Sequence, residues 1–309
     1  MNLDQKTAQQ IWDKHHLGKI QTFKKESLGI TGSVFSLNQR FILKIGGANK
    51  QDKFRVERNA LMCEILERNK IKAPQVVALD TSKKIIKEKY LIMTRLAGDD
   101  LSEVWEKLPG NVQQSIAVEY GEIMAKIHQI KMQKFGDIVN NNRQRDSWHQ
   151  FIMGRYRKYL EYLERNNILP ARMLVHVHGV IDDNNYLFRI TSKPVLLHVD
   201  FKAKNIKYYK GRINGIFDFD ECLGGHNEFD FTKIFLPYTI DRRYKEMIIN
   251  SYKRIGRLSE EFICRVRLYS LGFLLNVLWF SHLNNLITPA LKAKYIGSLY
   301  ELLGETSNV

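Results

Sequence analysis

The stretch from Leu196 to Phe235, LLHVDFKAKNIKYYKGRINGIFDFDECLGGHNEFDFTKIF, constrains this chain more than any other part of it. A short apolar strand runs to His198, Asp200 follows, and Asn205 lies five residues further on. Ile206–Tyr209, a turn at Lys210-Gly211 and Arg212–Phe217 then read as a β-hairpin, with Asp218 ending its second strand. This layout predicts that Asp200, Asn205 and Asp218 stand at one edge of a single hairpin. A hairpin does not need polar residues at its mouth, so the trio points to chemistry. Phosphoryl transfer requires such convergence. It demands a carboxylate beside the attacking hydroxyl, and neutralisation of the charge on the transferring group. Asp200 suits the first role as base or orienter. Mg2+ takes hard oxygen ligands, usually one or two carboxylates completed by substrate phosphates, and Asn205 and Asp218 supply such oxygens.

The remainder of the chain divides by texture. Ile20–Leu28, Val34–Leu37 and Phe41–Ile45 read as successive antiparallel strands, with a tight turn at Asn38-Gln39. Phe54 to Asn69 carries apolar residues at helical spacing, and Pro74–Leu79 and Tyr90–Leu96 read as two more strands. After Gly98 amphipathic helices take over: Leu101–Lys107, Val112–Ile130, Trp148–Asn167 and several beyond Phe229, interrupted by the β-rich Val195–Phe219. The expectation is an α+β chain of two lobes. A small antiparallel sheet with one main helix spans residues 1–95, and a larger, mainly helical body spans 96–309.

At this point the sequence resembles a known family. The pattern H-x-D-x-x-x-x-N followed by I-x-D-[FW] is similar to the catalytic core of aminoglycoside phosphotransferases and choline-kinase-like enzymes, relatives of the protein kinases. The run HVDFKAKNI…KGRINGIFDFDEC…FDFTKIF is most similar to hygromycin-type enzymes. The resemblance implies Asp200 as catalytic residue, Asn205 and Asp218 as magnesium ligands, and Asp230 as a buried aspartate bracing the catalytic loop. It also implies a strand–turn–strand over the nucleotide phosphates, for which Gly29, Gly32 and Ser33 stand in LGITGSV. A lysine should follow, and Lys44 is there; a helix glutamate should pair with it, and Glu57 is in position. The adenine-reading hinge falls on Met93, Thr94, Arg95 and Leu96. AVEYGEIMAKIHQI resembles the family helix preceding the core. The implied cofactors are ATP or GTP, with Mg2+.

Each of these residues also has a plainer reading. A GxxG is usually just a turn between strands. Lys44 and Glu57 alone would be solvated side chains, and Asp230 would cap the helix after it. His198 reads as a structural histidine holding the loop by hydrogen bonds. Asp220, Glu221 and Glu228 read as surface carboxylates, or, for Asp220, as a residue supporting the site from behind. Val199 stands where the family carries Gly or Ala, so the backbone there is expected to avoid positive φ. No A-P-E motif follows Asp218, which argues against an ordinary protein kinase.

Composition narrows the classes. The chain has 48 Lys and Arg against 33 Asp and Glu, a net charge of +15. The lysines are dispersed and no nucleic-acid module appears, so no nucleic-acid partner is expected. Three widely spaced cysteines form no metal pattern and fit a reducing compartment. The polar N-terminus carries no signal peptide, and LGFLLNVLWF (Leu271–Phe280) is too short to span a bilayer, so it reads as a buried helix. The expectation is a cytoplasmic enzyme without a membrane partner, as monomer or dimer.

The leading function is therefore transfer of a γ-phosphoryl group to a hydroxyl of an aminoglycoside-like molecule, an antibiotic-resistance activity. A cationic acceptor needs an acidic pocket, for which Asp99, Asp100, Asp220, Glu221 and Glu228 are candidates. The alternatives are a metabolic kinase of the choline, homoserine or fructosamine type, with its acceptor shaped by the insert between Trp148 and Asp183, and an inactive nucleotide-binding pseudokinase.

Overall fold

The computed structural model describes residues 3–29, 32–46, 53–235 and 242–304. Helix α1 (Gln5–Lys14) opens the chain, where no element is expected from the sequence. Asp4 caps it by accepting the Thr7 N–H at 2.7 Å. Its polar surface hides a narrow stripe of Ala8, Ile11 and Trp12, which is fully buried. The edge of the Phe41 ring meets Trp12 with centroids 5.2 Å apart.

Strands β1 (Phe23–Gly29), β2 (Gly32–Leu37), β3 (Phe41–Gly46), β4 (Val76–Asp80) and β5 (Tyr90–Thr94) form an antiparallel sheet in the order β1-β2-β3-β5-β4. The β2–β3 turn holds Asn38 and Gln39 at φ 52° and 55°. Both lie in the left-handed region that a two-residue hairpin turn with the native twist requires. Alternation sends Phe35, Leu37, Leu43 and Ile45 to one buried face, beneath α1. Helix α2 (Arg55–Arg68) covers the other face with Val56 and Ala60, against Leu91 and Met93.

The chain leaves this sheet after Thr94 and enters a two-residue strand, β6 (Asp99–Asp100), then α3 (Leu101–Val104) and α4 (Gly110–His128). Gly98 has φ +100°, and a Cβ there would collide with the Tyr208 carbonyl, so only glycine lets the linker lie this close. Strands β7 (Phe135–Asp137) and β8 (Gln144–Arg145) precede α5 (Trp148–Arg165) and α6 (Ala171–Asn184). Then come β9 (Val195–Leu197), the hairpin β10 (Ile206–Tyr209) and β11 (Arg212–Ile216), and β12 (Leu223–Gly225). The chain ends in α7 (Thr232–Phe235), α8 (Arg242–Lys253), α9 (Phe262–Leu283) and α10 (Pro289–Leu303).

Two small sheets thread this helical body, β11-β10-β6 and β8-β7-β12-β9. The second was not legible in the sequence, because three-residue strands carry too little alternation to register. Helix α9 has the length and apolar composition of a membrane span, yet Leu271, Leu274, Leu275 and Leu278 are buried in the core beside α5. Tyr156 of α5 donates to the Leu268 carbonyl at 2.6 Å, and the Trp148 indole N–H donates to Tyr269 Oη at 2.7 Å. A second core joins Met62, Cys63 and Leu66 of α2 to Ile116 and Met124 of α4, tying the sheet's helix to the body below it. All three cysteines are free thiols, with only Cys264 exposed.

Candidate active site

The hairpin register explains the convergence of the central residues. Ile206 pairs with Ile216, and the Phe217 N–H donates to the Asn205 carbonyl at 3.0 Å, so Asn205 and Asp218 leave the ribbon at the same end. The distal turn at Lys210-Gly211 has φ 49° and 84°, again left-handed at both positions. Asn205 Nδ2 donates to both the Asp200 carbonyl and Asp200 Oδ2, each at 2.9 Å. With its NH2 committed to Asp200, the amide oxygen of Asn205 remains an acceptor. The Asp218 carboxylate stays partly exposed beside it. This is the donor set, one carboxylate and one amide oxygen, that a hard divalent cation takes, and the residues fit such an ion.

The loop that presents Asp200 is clamped from below. Asp230, completely buried, accepts the His198 N–H at 2.9 Å and the Val199 N–H at 2.6 Å on separate oxygens. His128, at the end of α4, lies 3.1 Å from the same carboxylate through Nε2 and 2.9 Å from Tyr252 Oη through Nδ1. His198 Nε2–H donates to the Phe217 carbonyl at 3.1 Å, joining loop to hairpin. Tyr120 of α4 donates to the Phe201 carbonyl at 2.5 Å. Val199 departs from expectation. Its φ is +69°, where a β-branched residue is strained, and the Asp230 clamp holds it there.

Two lysines absent from the sequence-derived site flank Asp200. Lys202 Nζ lies 2.8 Å from Oδ2, and Lys233 Nζ lies 3.2 Å from Oδ1. Burial alone would raise the Asp200 pKa, but Lys233 and then Lys202 outweigh it and hold the carboxyl below its usual range. Lys233 also sits 3.7 Å above the Phe273 ring. Burial lowers its own pKa despite Asp200. Spacing could have suggested Lys202, two residues after Asp200; nothing local marks Lys233, which reaches the site from a different element.

Lys44 stands opposite Val34 in the β2–β3 register, two residues from Gly32 at the end of β2. Gly29 and Gly32 face each other across the β1–β2 pair, and Ser33 is buried. Ile30 and Thr31 between them lie outside the described residues. The Lys44 ammonium meets Asp218 at 2.9 Å and also pairs with Asp220. Burial would depress its pKa; Asp220 and then Asp218 overcome that and raise it.

The expected Lys44–Glu57 pair is not formed. Glu57 is bonded to Lys89, and the α2 residue facing Lys44 is Asn59, whose Oδ1 is 3.4 Å from Nζ. Asn59 also donates to Asp220 at 2.7 Å and accepts the Phe219 N–H at 3.1 Å. The physical reason is helix phase: two residues turn a helix by about 200°, so Glu57 and Asn59 look in nearly opposite directions. Asp220 therefore supplies the partner carboxylate of Lys44 and does not line the cavity beside Asp200. Arg58, buried one position before Asn59, pairs with Asp137 at 2.5 Å and donates to the Asp220 carbonyl, strapping α2 to the body.

The residues expected to form the hinge lie where β5 runs out. Met93 is buried, Thr94 N–H donates to the Gln75 carbonyl at 2.9 Å, and Arg95 N–H donates to the Arg40 carbonyl at 2.8 Å. The Arg95 guanidinium reaches Glu26 at 2.6 Å, and Leu96 packs on Gly215 of the hairpin.

The five carboxylates expected to form an acidic acceptor pocket do not gather. Asp99 is an exposed strand residue, Asp100 pairs with Lys207 at 2.7 Å, and Asp220 serves Lys44. Glu228 is buried against Arg265 at 2.5 Å and accepts the Ser259 N–H. Only Glu221 of the five lines the cavity beside Asp200, a space of about 740 Å³ walled by α5, α9 and the loop that carries Asp200. Asp100, Asp220 and Glu228 were each drawn elsewhere by a cation that only the tertiary structure supplies.

A strand-covered lysine above a carboxylate–amide hairpin defines the class of nucleotide-dependent phosphotransferases with a kinase-like fold. The sequence matches the model of the phosphotransferase enzyme family over residues 27–262, and the chain belongs to that family. No curated relative matches the chain. Among solved structures, the streptomycin–ATP ternary complex of APH(2'')-IIa superposes with a TM-score of 0.73 at 18% identity, covering 97% of each chain. APH(4)-Ia, as a thermostable mutant with AMP-PNP and hygromycin B, gives 0.69 at 18% identity over 97% of this chain and 99% of that one. A Haemophilus somnus 129PT protein described as a fructosamine-3-kinase gives 0.69 at 18% identity over 96% and 97%. At these identities the likeness speaks for the fold.

Proposed function

We propose that the chain transfers the γ-phosphoryl group of ATP or GTP to a hydroxyl of a small molecule, with Asp200 as the base. The observation that carries this reading is the meeting of Asp200, Asn205 and Asp218 at the mouth of one hairpin, beneath Lys44. Asp200, held ionised by Lys233 and Lys202, accepts the proton of the acceptor hydroxyl. The hydroxyl oxygen forms a bond to the γ-phosphorus while the bond to the bridging β–γ oxygen breaks, and the diphosphate leaves with that electron pair. Lys44 steadies the nucleotide's phosphates, and the hinge from Met93 to Leu96 takes the base. Mg2+, held by Asn205 and Asp218, would neutralise charge on the β- and γ-phosphate oxygens. Asp230 acts through the backbone by fixing the loop, and a cytoplasmic setting fits its nucleotide supply.

The names of the aminoglycoside-bound neighbours favour an aminoglycoside acceptor. The cavity favours the metabolic-kinase reading, because a polycation would find only Glu221 there beyond Asp200 and Asp137, and Glu221 lies 3.9 Å from Arg55. An inactive pseudokinase has no need of the intact Lys44, Asp200, Asn205 and Asp218 set.

Release of ADP in the presence of Mg2+, ATP and a panel of hydroxyl compounds tests the reading. Asp200→Asn should lower turnover by about 10²–10⁴-fold with nucleotide affinity preserved. Undiminished turnover in that variant would sink the assignment.

A further inference from the structure

We infer that the hydroxyl compound phosphorylated here carries an oxyanion, a carboxylate or a phosphate, gripped by Arg155 and Lys158 on the α5 wall of the cavity; this rests on the phosphotransferase reading above. Eight of the side chains lining the cavity are Lys or Arg and three are Asp or Glu. Two of the three carboxylates are closely engaged, Asp137 by Arg58 and Asp200 by Lys202 and Lys233; Glu221 lies 3.9 Å from Arg55 and also acts on Arg155, one carboxylate for two guanidiniums. Arg155 and Lys158 come from one face of α5, and Arg143 and Arg145, the latter donating to the Asn142 and Gln144 carbonyls, line the cavity from the segment that leads into it.

Their geometry is that of a binding wall. Arg155 and Lys158 are three residues apart, hence neighbours on one helix face, where like charges repel. Burial, then Arg155, then Arg143 push the Lys158 pKa down, which registers that repulsion. The Arg155 guanidinium is held in place: its Nε donates to Tyr159 Oη at 3.0 Å, and its carbon lies 5.6 Å from the Phe151 ring centroid. Among the described residues, its two terminal nitrogens have no hydrogen-bond acceptor. A fixed guanidinium with both terminal nitrogens available matches the fork of a carboxylate or phosphate. Lys158 lies 3.9 Å above the Trp279 ring, so an apolar plate borders the anion site. Lys44 does not line this cavity, so the wall is separate from the lysine of the nucleotide site. An anion bound here would relieve the repulsion, and a cationic amino sugar would add to it.

The test measures equilibrium binding of four matched hexoses to the protein loaded with Mg2+ and a non-hydrolysable ATP analogue: glucose, glucosamine, glucuronate and glucose 6-phosphate. The expected result is that glucuronate or glucose 6-phosphate binds at least about tenfold tighter than glucose, with glucosamine weakest; one charge-assisted contact suffices for that factor. The difference between the two anions identifies carboxylate or phosphate as the group. Arg155→Gln and Lys158→Gln should each remove most of the anion preference while the analogue still binds. Glucosamine binding as tightly as the anions, or anion binding unchanged in both variants, overturns the proposal. Failure of the analogue to bind wild-type protein overturns the phosphotransferase reading instead. The same comparison on the unloaded protein then still decides the anion site.

Discussion

Asp230 holds Val199 in a backbone conformation that valine avoids: the Val199 N–H lies 2.6 Å from Asp230 Oδ1, at φ +69°. Val199 immediately precedes Asp200, so the clamp sets where the Asp200 carboxylate, the proposed base, points. Asp230→Ala would leave the buried His198 N–H, the half-buried Val199 N–H and His128 without this partner and free the loop to relax. The expected cost is about 3–5 kcal/mol of stability, read by denaturant unfolding. Val199→Gly in the Asp230→Ala background should recover none of the lost turnover, since the strain is relieved but the loop is no longer positioned. A destabilisation below about 1 kcal/mol in Asp230→Ala would show that the clamp does not hold the loop.

Lys44 and Asp220 should behave as one unit. Each is the other's nearest charge partner, and Asn59 binds both. Lys44→Met and Asp220→Asn should each weaken nucleotide binding, and the double variant should be no worse than the more damaged single one. The coupling expected for residues sharing a network is about 0.5–3 kcal/mol, measured by a double-mutant cycle on nucleotide affinity. Strict additivity would mean that the pair does not act together. Glu57→Gln, by contrast, should leave nucleotide affinity unchanged, because its partner is Lys89.

Lys233 should set the acid limit of activity. With Asp200 held below its usual pKa, the base is ionised at lower pH than an ordinary aspartate would be. The same depression stabilises the fold above the unfolded-state pKa of Asp200, and that contribution disappears as pH falls through the lower folded value. Lys233→Met removes the largest of the lowering interactions, so the acidic limb of the kcat/KM profile should move to higher pH. A profile that keeps its acidic limb in place would assign that limb to another group.

Part of this was readable along the chain. Asp200, Asn205 and Asp218 belong to one local ribbon, so a turn at Lys210-Gly211 and strand alternation are enough to bring them together. The sheet of the first third and the long helices α4 and α5 follow from hydrophobic period alone. Helix α1 was hidden because three buried residues in a polar helix give a weak pattern.

What the sequence determined by itself is therefore the local frame: the hairpin, its three oxygen donors, and the order of strands and helices around it. What the tertiary structure decided is which charges meet. Glu57 turned to Lys89, Asp220 to Lys44, Glu228 to Arg265 and Lys233 to Asp200, each choice made between elements far apart in the chain. Backbone periodicity fixes where a side chain starts. Ion pairing is fixed by desolvation and distance, which exist only once the elements have packed.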